Sequence, residues 1–397
     1  MSFVREEPLT HALASDYAAL HAIRTRKRLL RSDLWARIGG EIERVTRGVE
    51  RADHAHAHAH AHGAREKGRL RVVAWNIQRG IQLAGLRQAL LQDPVLSRAD
   101  VLLLVEVDNG MGRSGNRNVA RELAEALDMN YAFGVSYLVL EDDFGENPEG
   151  KTNGLALAGA AVLSRMPIGR VENVDVPELR DKFSSSEKRL GRKRALAAEL
   201  LLPDGPLAVV TCHLDSNASP AQRARQLAAL IDCADALCPA RALVGGDFNT
   251  TTYDASSPWG LARDLLHKLF FTGFRGTVDN YLTPDRRYEL PVFATLAERG
   301  FTIDGFNDRA AGTIQYDLHS PYAIQKVQKK VGGLLTRLLQ RGLRPWGGVV
   351  PARLDWFAGR GLTPCFATVV HPHDREGRPL SDHAAVVVDV ALGGGAD

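Results

Sequence analysis

The sequence contains 397 residues, of which 45% are hydrophobic and 24% are charged, and such a chain can bury a full core. The formal net charge of +3 is too small to indicate nucleic-acid binding by itself. The four cysteines include no CxxC pair, which excludes a disulfide scaffold and favours free thiols in a reducing compartment.

The N-terminal residues, MSFVREEPLTHALASDY, carry charges and lack the apolar stretch of a secretory signal. No run of the sequence approaches the roughly 18 apolar residues of a transmembrane helix. We therefore expect a cytoplasmic protein without a transmembrane segment. Peripheral membrane contact stays open.

Residues 1–50 have apolar side chains at near-helical spacing, which predicts a helical extension. It either packs on the main domain or serves as an oligomerisation arm. The tract from Asp53 to Gly63 alternates His and Ala, and we favour a flexible linker over a metal-capturing segment. These features place a domain boundary near residue 63, with one large domain over residues 64–397.

From Leu70 onward, short apolar runs alternate with helical segments. NVARELAEALD and SPAQRARQLAALIDCADAL fit helices, the second opened by its Ser-Pro pair. This alternation favours a layered α/β sandwich with two sheets inside and helices outside. The runs that predict buried strands are LRVVAWNI, ADVLLLVEV, GAAVLSR, LAAELLL, PLAVVTCHL, ALVGGDFN, RLDWFAG and HAAVVVDV.

Residues 264–350 interrupt this rhythm, because they contain no clear catalytic strand. We interpret them as an insertion over or beside the active site. Within them, YAIQKVQKKVGGLLTRLLQRG predicts a basic amphipathic helix that two adjacent glycines would weaken or bend.

Polar side chains end several of the predicted strands. Burying so many carboxylates together is costly unless a cation neutralises them. Oxygen ligands suit Mg²⁺ or Mn²⁺ better than zinc. These strand-end residues are Asn76, Glu106, Asp108, His213, Asp215, Asp247, Asn249, Asp355, Asp382 and His383.

The ordered set of motifs resembles the endonuclease/exonuclease/phosphatase superfamily of deoxyribonuclease-I-like, metal-dependent phosphoesterases. VVAWNIQ, LLLVEVD, AGAAVLSRMPI, VVTCHLDSNASPAQRARQ, VGGDFN, RLDWF and LSDHAAVVVDV each resemble a family segment, in family order, over about residues 70–390. The resemblance implies a four-layer α/β/β/α sandwich with two central mixed β-sheets. It also implies a hydrolase that acts on phosphate esters.

The resemblance further implies a metal site in which Glu106, with Asn76, holds a catalytic Mg²⁺ or Mn²⁺. Asp382 joins these residues directly or through water. The number of metal ions, one or two, stays open.

The remaining motif residues have catalytic roles in this interpretation. Asp247 orients or deprotonates the attacking water, and Asn249 donates to a phosphate oxygen. His383, paired with Asp355, acts either as a base or as a cation that stabilises the transition state. His213 is a further donor to the phosphate.

The fold does not decide the substrate. We expect a phosphodiesterase, with a nuclease first and a lipid or inositol phosphate enzyme at a membrane surface second. The basic residues 188–194 and 326–344 fit contacts to nucleic-acid phosphates, and the 326–344 helix fits an anionic membrane as the alternative. Arg194 either meets a substrate phosphate or belongs to a solvated loop. The intact motif set argues against a non-catalytic binding module.

Overall fold

The computed structural model describes residues 3–5, 8–54, 68–140, 151–184, 187–252, 273–317 and 349–392, with isolated helical positions between 263 and 341. Two β-sheets pack face to face at its centre.

The larger sheet has nine strands in the order β1-β2-β5-β6-β4-β3-β16-β15, with β8 added beside β5. Strands β3 and β4 are parallel, whereas β16 runs antiparallel to β3, so the sheet is mixed. The strands are β1 (Phe3–Arg5), β2 (Gly48–Ala52), β3 (Arg69–Arg79), β4 (Val101–Asn109), β5 (Asn130–Val139), β6 (Leu157–Ser164), β8 (Arg189–Gly191), β15 (Thr363–Val370) and β16 (Ala385–Ala391).

The smaller sheet has five strands in the order β14-β11-β10-β9-β7, and only its β10–β11 pair is parallel. A separate antiparallel pair joins β12 to β13. These strands are β7 (Ile168–Asp175), β9 (Arg194–Leu200), β10 (Leu207–His213), β11 (Ala242–Asp247), β12 (Ile314–Asp317), β13 (Val349–Ala352) and β14 (Asp355–Arg360).

The helices cover the outer faces of the two sheets. Helix α6 begins as its Ser-Pro start predicts, since Ser219 and Gln222 form a capping box around Pro220. The helices are α1 (Tyr17–Ala22), α2 (Arg26–Leu29), α3 (Asp33–Thr46), α4 (Leu83–Gln92), α5 (Val119–Leu127), α6 (Pro220–Leu237), α7 (Gly273–Leu282) and α8 (Leu290–Glu298).

Alternating strand residues face different cores, because successive side chains point to opposite faces of a sheet. Val73 packs beneath the outer helices, whereas its neighbour Val72 packs between the sheets. A third core, which includes Val210 and Leu227, lies between the smaller sheet and α6. This arrangement confirms the predicted four-layer sandwich with two mixed sheets.

The N-terminal segment packs on the larger sheet. Leu20 of α1 and Ile42 of α3 share one core with Trp75. The helix predicted through residue 50 ends at Thr46, and residues 48–52 form β2 instead, antiparallel to β5. Buried Glu50 of β2 accepts a hydrogen bond from the Leu9 backbone amide at 2.7 Å. The His-Ala tract, apart from its first residues, lies outside the described residues.

Part of the predicted insertion belongs to the body of the domain. Val292 and Phe301 contribute to the third core, and Phe306 contributes to the core between the sheets. Asn307 makes two side-chain bonds to the backbone of Phe357, at 2.8 and 2.9 Å, along the edge of β14. The predicted basic amphipathic helix lies almost entirely outside the described residues. Among the described helices, none has the length and apolarity to cross a membrane.

Candidate active site

Three of the predicted site residues form a row across the smaller sheet. His213 pairs with Asp247 where the parallel strands β10 and β11 end, and Asp247 pairs with Asp355 where β14 begins. Gly246 precedes Asp247 with a φ of 137°, and a Cβ there would lie 2.2 Å from the carbonyl oxygen of Cys212. Only glycine allows this close approach of β10 and β11.

The larger sheet brings Asn76 and Glu106 to the same end of the sandwich. Asn76 on β3 lies beside Val105 on the parallel strand β4. The pairing of β4 with β6 shifts register at Glu106, whose φ is 52°. A bulge of this kind redirects the side chain, and a non-glycine residue at positive φ is strained.

The Asp247 carboxylate is the centre of the site. Its Oδ2 lies 3.0 Å from Nδ2 of Asn249 and 3.4 Å from Nδ2 of Asn76. The same oxygen lies 3.6 Å from Nε2 of His213 and 3.8 Å from Nε2 of His383. Groups from both sheets therefore surround one buried carboxylate oxygen.

Three hydrogen bonds hold His383 in place. Its Nδ1 lies 2.8 Å from Oδ2 of Asp355, as the sequence predicts for this pair. Its carbonyl oxygen accepts a bond from Trp75 Nε1 at 2.9 Å. The Ser381 hydroxyl accepts from the His383 backbone amide at 3.2 Å and donates to the Asn76 carbonyl oxygen at 2.6 Å. Ser381 thus joins His383 to the strand that carries Asn76, a role that the sequence analysis did not assign.

Burial and neighbouring charges set the protonation of Asp247 and His383. Burial raises the pKa of Asp247 to about 7, with repulsion from Asp355 and Glu106 adding to the shift. Burial alone would lower the pKa of His383, but attraction to Asp355 and Asp247 outweighs it and raises that pKa well above its usual value. His383 is therefore a cation at neutral pH.

Glu106 stays ionised for a different reason. Burial alone would raise its pKa, but nearby positive charge outweighs burial and lowers the pKa to about 2. His213 does not supply this charge at pH 7, because burial lowers the pKa of its imidazole to about 3. Arg79, whose Nε lies 3.9 Å from the Glu106 carboxylate, and the cationic His383 supply it.

Hydrogen bonds from its backbone amides hold the loop that contains Asn249. The backbone amide of Asn249 donates to Oδ1 of Asp247 at 2.8 Å. Further along the loop, the amide of Thr252 donates to Glu289 at 3.1 Å, and Glu289 forms a fully buried ion pair with Arg223. Glu289 was not predicted as a site residue, because it lies in the stretch that we interpreted as an insertion.

Two further predicted residues are not at the centre of the site. Asp382 is exposed, and its charge acts on His383 without a direct bond between the two side chains. The expected substrate contact of Arg194 needs correction. This arginine is buried, donates to Asp175 at 2.7 Å and also bonds the Thr46 carbonyl oxygen, so its guanidinium is already committed.

The two acidic residues that follow the motif strands are paired. Asp108 accepts two bonds from Arg113, at 2.8 and 3.0 Å. Asp215 accepts from Gln226 at 2.9 Å and from Lys193 at 3.3 Å. Both carboxylates are therefore bonded to neighbouring side chains and do not belong to the group around Asp247.

The donor set fits a hard divalent cation. Within the part of the chain that the structure describes, the Glu106 carboxylate accepts no hydrogen bond, so its oxygens can bind a metal ion. Ligand atoms of Asp247, Asp355 and His383 also lie within 4.8 Å of one another. A protonated imidazole cannot bind a metal ion, so the carboxylates of this group, and not His383, are its potential ligands. Carboxylate and amide oxygens dominate, as Mg²⁺ and Mn²⁺ prefer.

Residues 73–383 match the sequence model of the Endonuclease/Exonuclease/phosphatase family. The chain belongs to this family. Its members are hydrolases that act on phosphoester bonds and depend on divalent metals. A search of curated proteins finds no match.

Three solved structures align with this family member. An endonuclease/exonuclease/phosphatase from Beutenbergia cavernae DSM 12333 aligns with a TM-score of 0.51 and 20% identity, over 83% of this chain and 72% of that one. Humanised TDP2 from D. rerio aligns with a TM-score of 0.44 and 14% identity, over 82% and 99% of the two chains. The 3′ phosphatase NExo from Neisseria, bound to a product DNA hairpin, aligns with a TM-score of 0.46 and 14% identity, over 80% and 98%.

Proposed function

We propose that this protein is a divalent-metal-dependent phosphodiesterase whose preferred substrate is nucleic acid. The observation that carries the proposal is the convergence on Asp247, whose Oδ2 lies within 3.8 Å of His213 and His383. Strands of both sheets supply these groups, and such a buried polar cluster is costly unless it has a function.

The metal would lie against Glu106 and Asn76, with Asp382 at the outer edge of the site as a direct or water-mediated ligand. Such a cation polarises the phosphoryl oxygen and stabilises the leaving group. The strained backbone of Glu106 supports this assignment, because the bulge turns its carboxylate toward the gap between the sheets.

The side chains of this protein then divide the proton chemistry. Asp247, with a pKa raised to about 7, takes the proton of the attacking water. Asn249 fixes the orientation of that carboxylate, because its Nδ2 donates to Asp247 Oδ2 at 3.0 Å and to the Leu214 carbonyl oxygen at 2.8 Å. Donation to a phosphate oxygen would require Nδ2 to leave one of these two acceptors. His383, kept cationic by Asp355, stabilises negative charge in the transition state, and neutral His213 is a further donor.

Nucleic acid is the preferred substrate class because basic side chains lie beside the metal position. Arg189 and Lys193 share a pocket with Glu106. The alternative, a lipid or inositol phosphate, rests on the basic helix around residues 326–344, which falls almost entirely outside the described residues.

The decisive experiment compares turnover of bis-p-nitrophenyl phosphate in Mg²⁺, in Mn²⁺ and after EDTA treatment. We expect diester hydrolysis that EDTA abolishes and added metal restores. A panel of single-stranded DNA, duplex DNA, RNA, sphingomyelin and inositol phosphates then ranks the substrates. Faster turnover of sphingomyelin than of every nucleic acid would replace the nuclease proposal with the lipid alternative.

A further inference from the structure

A pocket opens between the two sheets directly beside Glu106. Strands β4, β5 and β6 form one wall, and strands β9 and β10 form the other. Small residues make the space, since Ser136, Ala158, Gly159 and Ala160 line consecutive strands. A Cβ at Gly159 would lie 1.9 Å from the Gly134 carbonyl oxygen, so no larger residue fits there.

The lining of this pocket is strongly basic. It carries five arginine or lysine side chains against three carboxylates, an excess of positive charge even with His213 neutral. Crowding of like charges in a partly dry site favours an anionic ligand. The five basic residues are Arg79, Arg113, Arg189, Lys193 and Arg194.

Ion pairs with neighbouring carboxylates neutralise part of this positive charge. Arg113 is bound to Asp108 and to Glu187, and Arg194 is bound to Asp175. These two arginines therefore build the wall of the pocket and are unsuited to hold a ligand.

Arg189 and Lys193 also have acidic partners, but their bonding groups are less completely used. The Arg189 guanidinium stacks over the Tyr137 ring at 5.2 Å and pairs with Glu187, while its buried Nε has no hydrogen-bond partner among the described residues. Lys193 donates to Asp215 at 3.3 Å, which uses one of the three hydrogens of its ammonium group. Burial lowers the pKa of Arg189, and the charges of Arg79 and Arg113 lower it further, as expected for a cation that lacks sufficient counter-charge.

We propose that Arg189 and Lys193 form a subsite for a second phosphate group of the substrate, next to the phosphate ester that is cleaved. The substrate class is then a phosphate ester that bears a neighbouring phosphate, such as a nucleic-acid strand with a terminal phosphate or a polyol bisphosphate. This inference rests on the proposed function, because Glu106 fixes where the scissile group lies.

The first test measures binding without turnover. A fluorescent thymidine dinucleotide with a phosphorothioate linkage, with or without a terminal phosphate at either end, is titrated with the Mg²⁺-loaded protein by anisotropy. We expect the phosphorylated form to bind at least roughly 10-fold more tightly, since a charge-assisted hydrogen bond contributes about 1.5–3 kcal/mol. Arg189→Gln and Lys193→Gln should each remove most of that preference.

Arg170→Gln is the matched control. Arg170 is an exposed arginine of β7 that pairs with Glu199. It lies near one end of β7, whereas Arg194 pairs with Asp175 at the other end. The control should keep the preference of the native protein. Circular dichroism checks that each variant folds. If Arg189→Gln does not fold, the binding preference is measured with Arg189→Lys, which retains the charge.

The second test identifies the source of the phosphate through kcat/KM. One arm compares oligonucleotides with and without a terminal phosphate, and the other compares inositol 1,4-bisphosphate with inositol 1-phosphate. A preference in either arm that the Arg189 and Lys193 variants lose supports the subsite. Equal binding and turnover of all matched pairs, or a preference that both variants retain, overturns it. Absence of turnover with an intact binding preference would refute the proposed function and leave the subsite standing.

Discussion

The imidazole of His383 donates from Nδ1 to the Asp355 carboxylate across 2.8 Å and so joins the two sheets of the sandwich. Asp355 begins β14 of the smaller sheet, and His383 lies two residues before β16 of the larger one. The other carboxylate oxygen of Asp355 is buried and has no hydrogen-bond partner among the described residues. Among the described residues, the His383 imidazole is therefore the one hydrogen-bond partner of the Asp355 carboxylate.

We predict that His383→Ala lowers turnover by about 10²–10⁴-fold, because it removes the cation that faces the developing charge. Asp355→Asn should be nearly as harmful. The double variant should be little worse than His383→Ala alone, since residues that act as one unit are not additive. Single-turnover kinetics measure all three, with circular dichroism as the folding control. Multiplicative losses would show that the two residues act independently.

Replacing Glu106 should disrupt metal dependence. We predict that Glu106→Gln lowers turnover by at least about 10²-fold at low Mg²⁺, with partial recovery as Mg²⁺ rises, because one ligand charge is lost. The measurement is activity against Mg²⁺ concentration. Glu298→Gln, at an exposed position on α8, is the matched control. Native activity of Glu106→Gln at micromolar Mg²⁺ would contradict the metal assignment.

The stability of the fold should depend on Asp215 in a defined pH range. Burial alone would raise its pKa, but Lys193, Lys182 and the Gln226 bond outweigh burial and hold the pKa below its ordinary value of 3.8. A lowered folded-state pKa stabilises the protein above the unfolded pKa, and this contribution disappears as pH falls through the folded-state pKa. We predict that Asp215→Asn loses about 1.5–3 kcal/mol of unfolding free energy at pH 7.

Urea denaturation of the native protein and Asp215→Asn at several pH values measures this effect. The difference should be constant from about pH 5 to 7 and should narrow below about pH 4, where the unfolded carboxylate becomes protonated. A difference that widens in acid would reverse the sign of the proposed linkage.

Glu50 should be essential for the attachment of the N-terminal segment. Its fully buried carboxylate accepts from the Leu9 amide, from Asn118 at 2.7 Å and from the Tyr131 hydroxyl at 2.5 Å. We predict that Glu50→Ala costs about 3–5 kcal/mol of unfolding free energy, because the buried partners lose their acceptor. Urea denaturation measures it. Glu43→Ala, at an exposed position on α3, should cost less than about 0.5 kcal/mol.

The sequence predicted the strands whose apolar runs are long and buried, such as β3, β4, β10 and β16. It did not identify β7 and β15, which lie at the edges of the sheets, and it also missed the interior strand β5, which is buried along its whole length. Edge strands bury fewer side chains, and exposed Phe366 on β15 illustrates the weaker pattern. The short strand β2 was assigned to a helix, because five residues are too few to reveal a period of two.

The residues that meet at Asp247 were predicted as a set, because polar residues at strand ends are conspicuous after apolar runs. The residues that hold this set in place were not predicted. The bond of Ser381 to Asn76 joins residues that are 305 positions apart in the sequence. The bond between Ser381 and His383 depends on a tight local turn. Arg194 was misjudged for a similar reason. Neither Asp175 nor the Thr46 carbonyl oxygen can be recognised as its partner from the local sequence.

Because the candidate site is divided between two sheets, it is intact only while the interface between those sheets is packed. Leu103 of one sheet and Val209 of the other belong to the core that joins them. If the sheets part while each keeps its own hydrogen bonds, Asp247 and Asp355 separate from Asn76, and the site ceases to exist before either sheet melts. The proposed activity should then disappear at lower urea concentration than helical or strand signals do, because partial opening alone would disrupt the site.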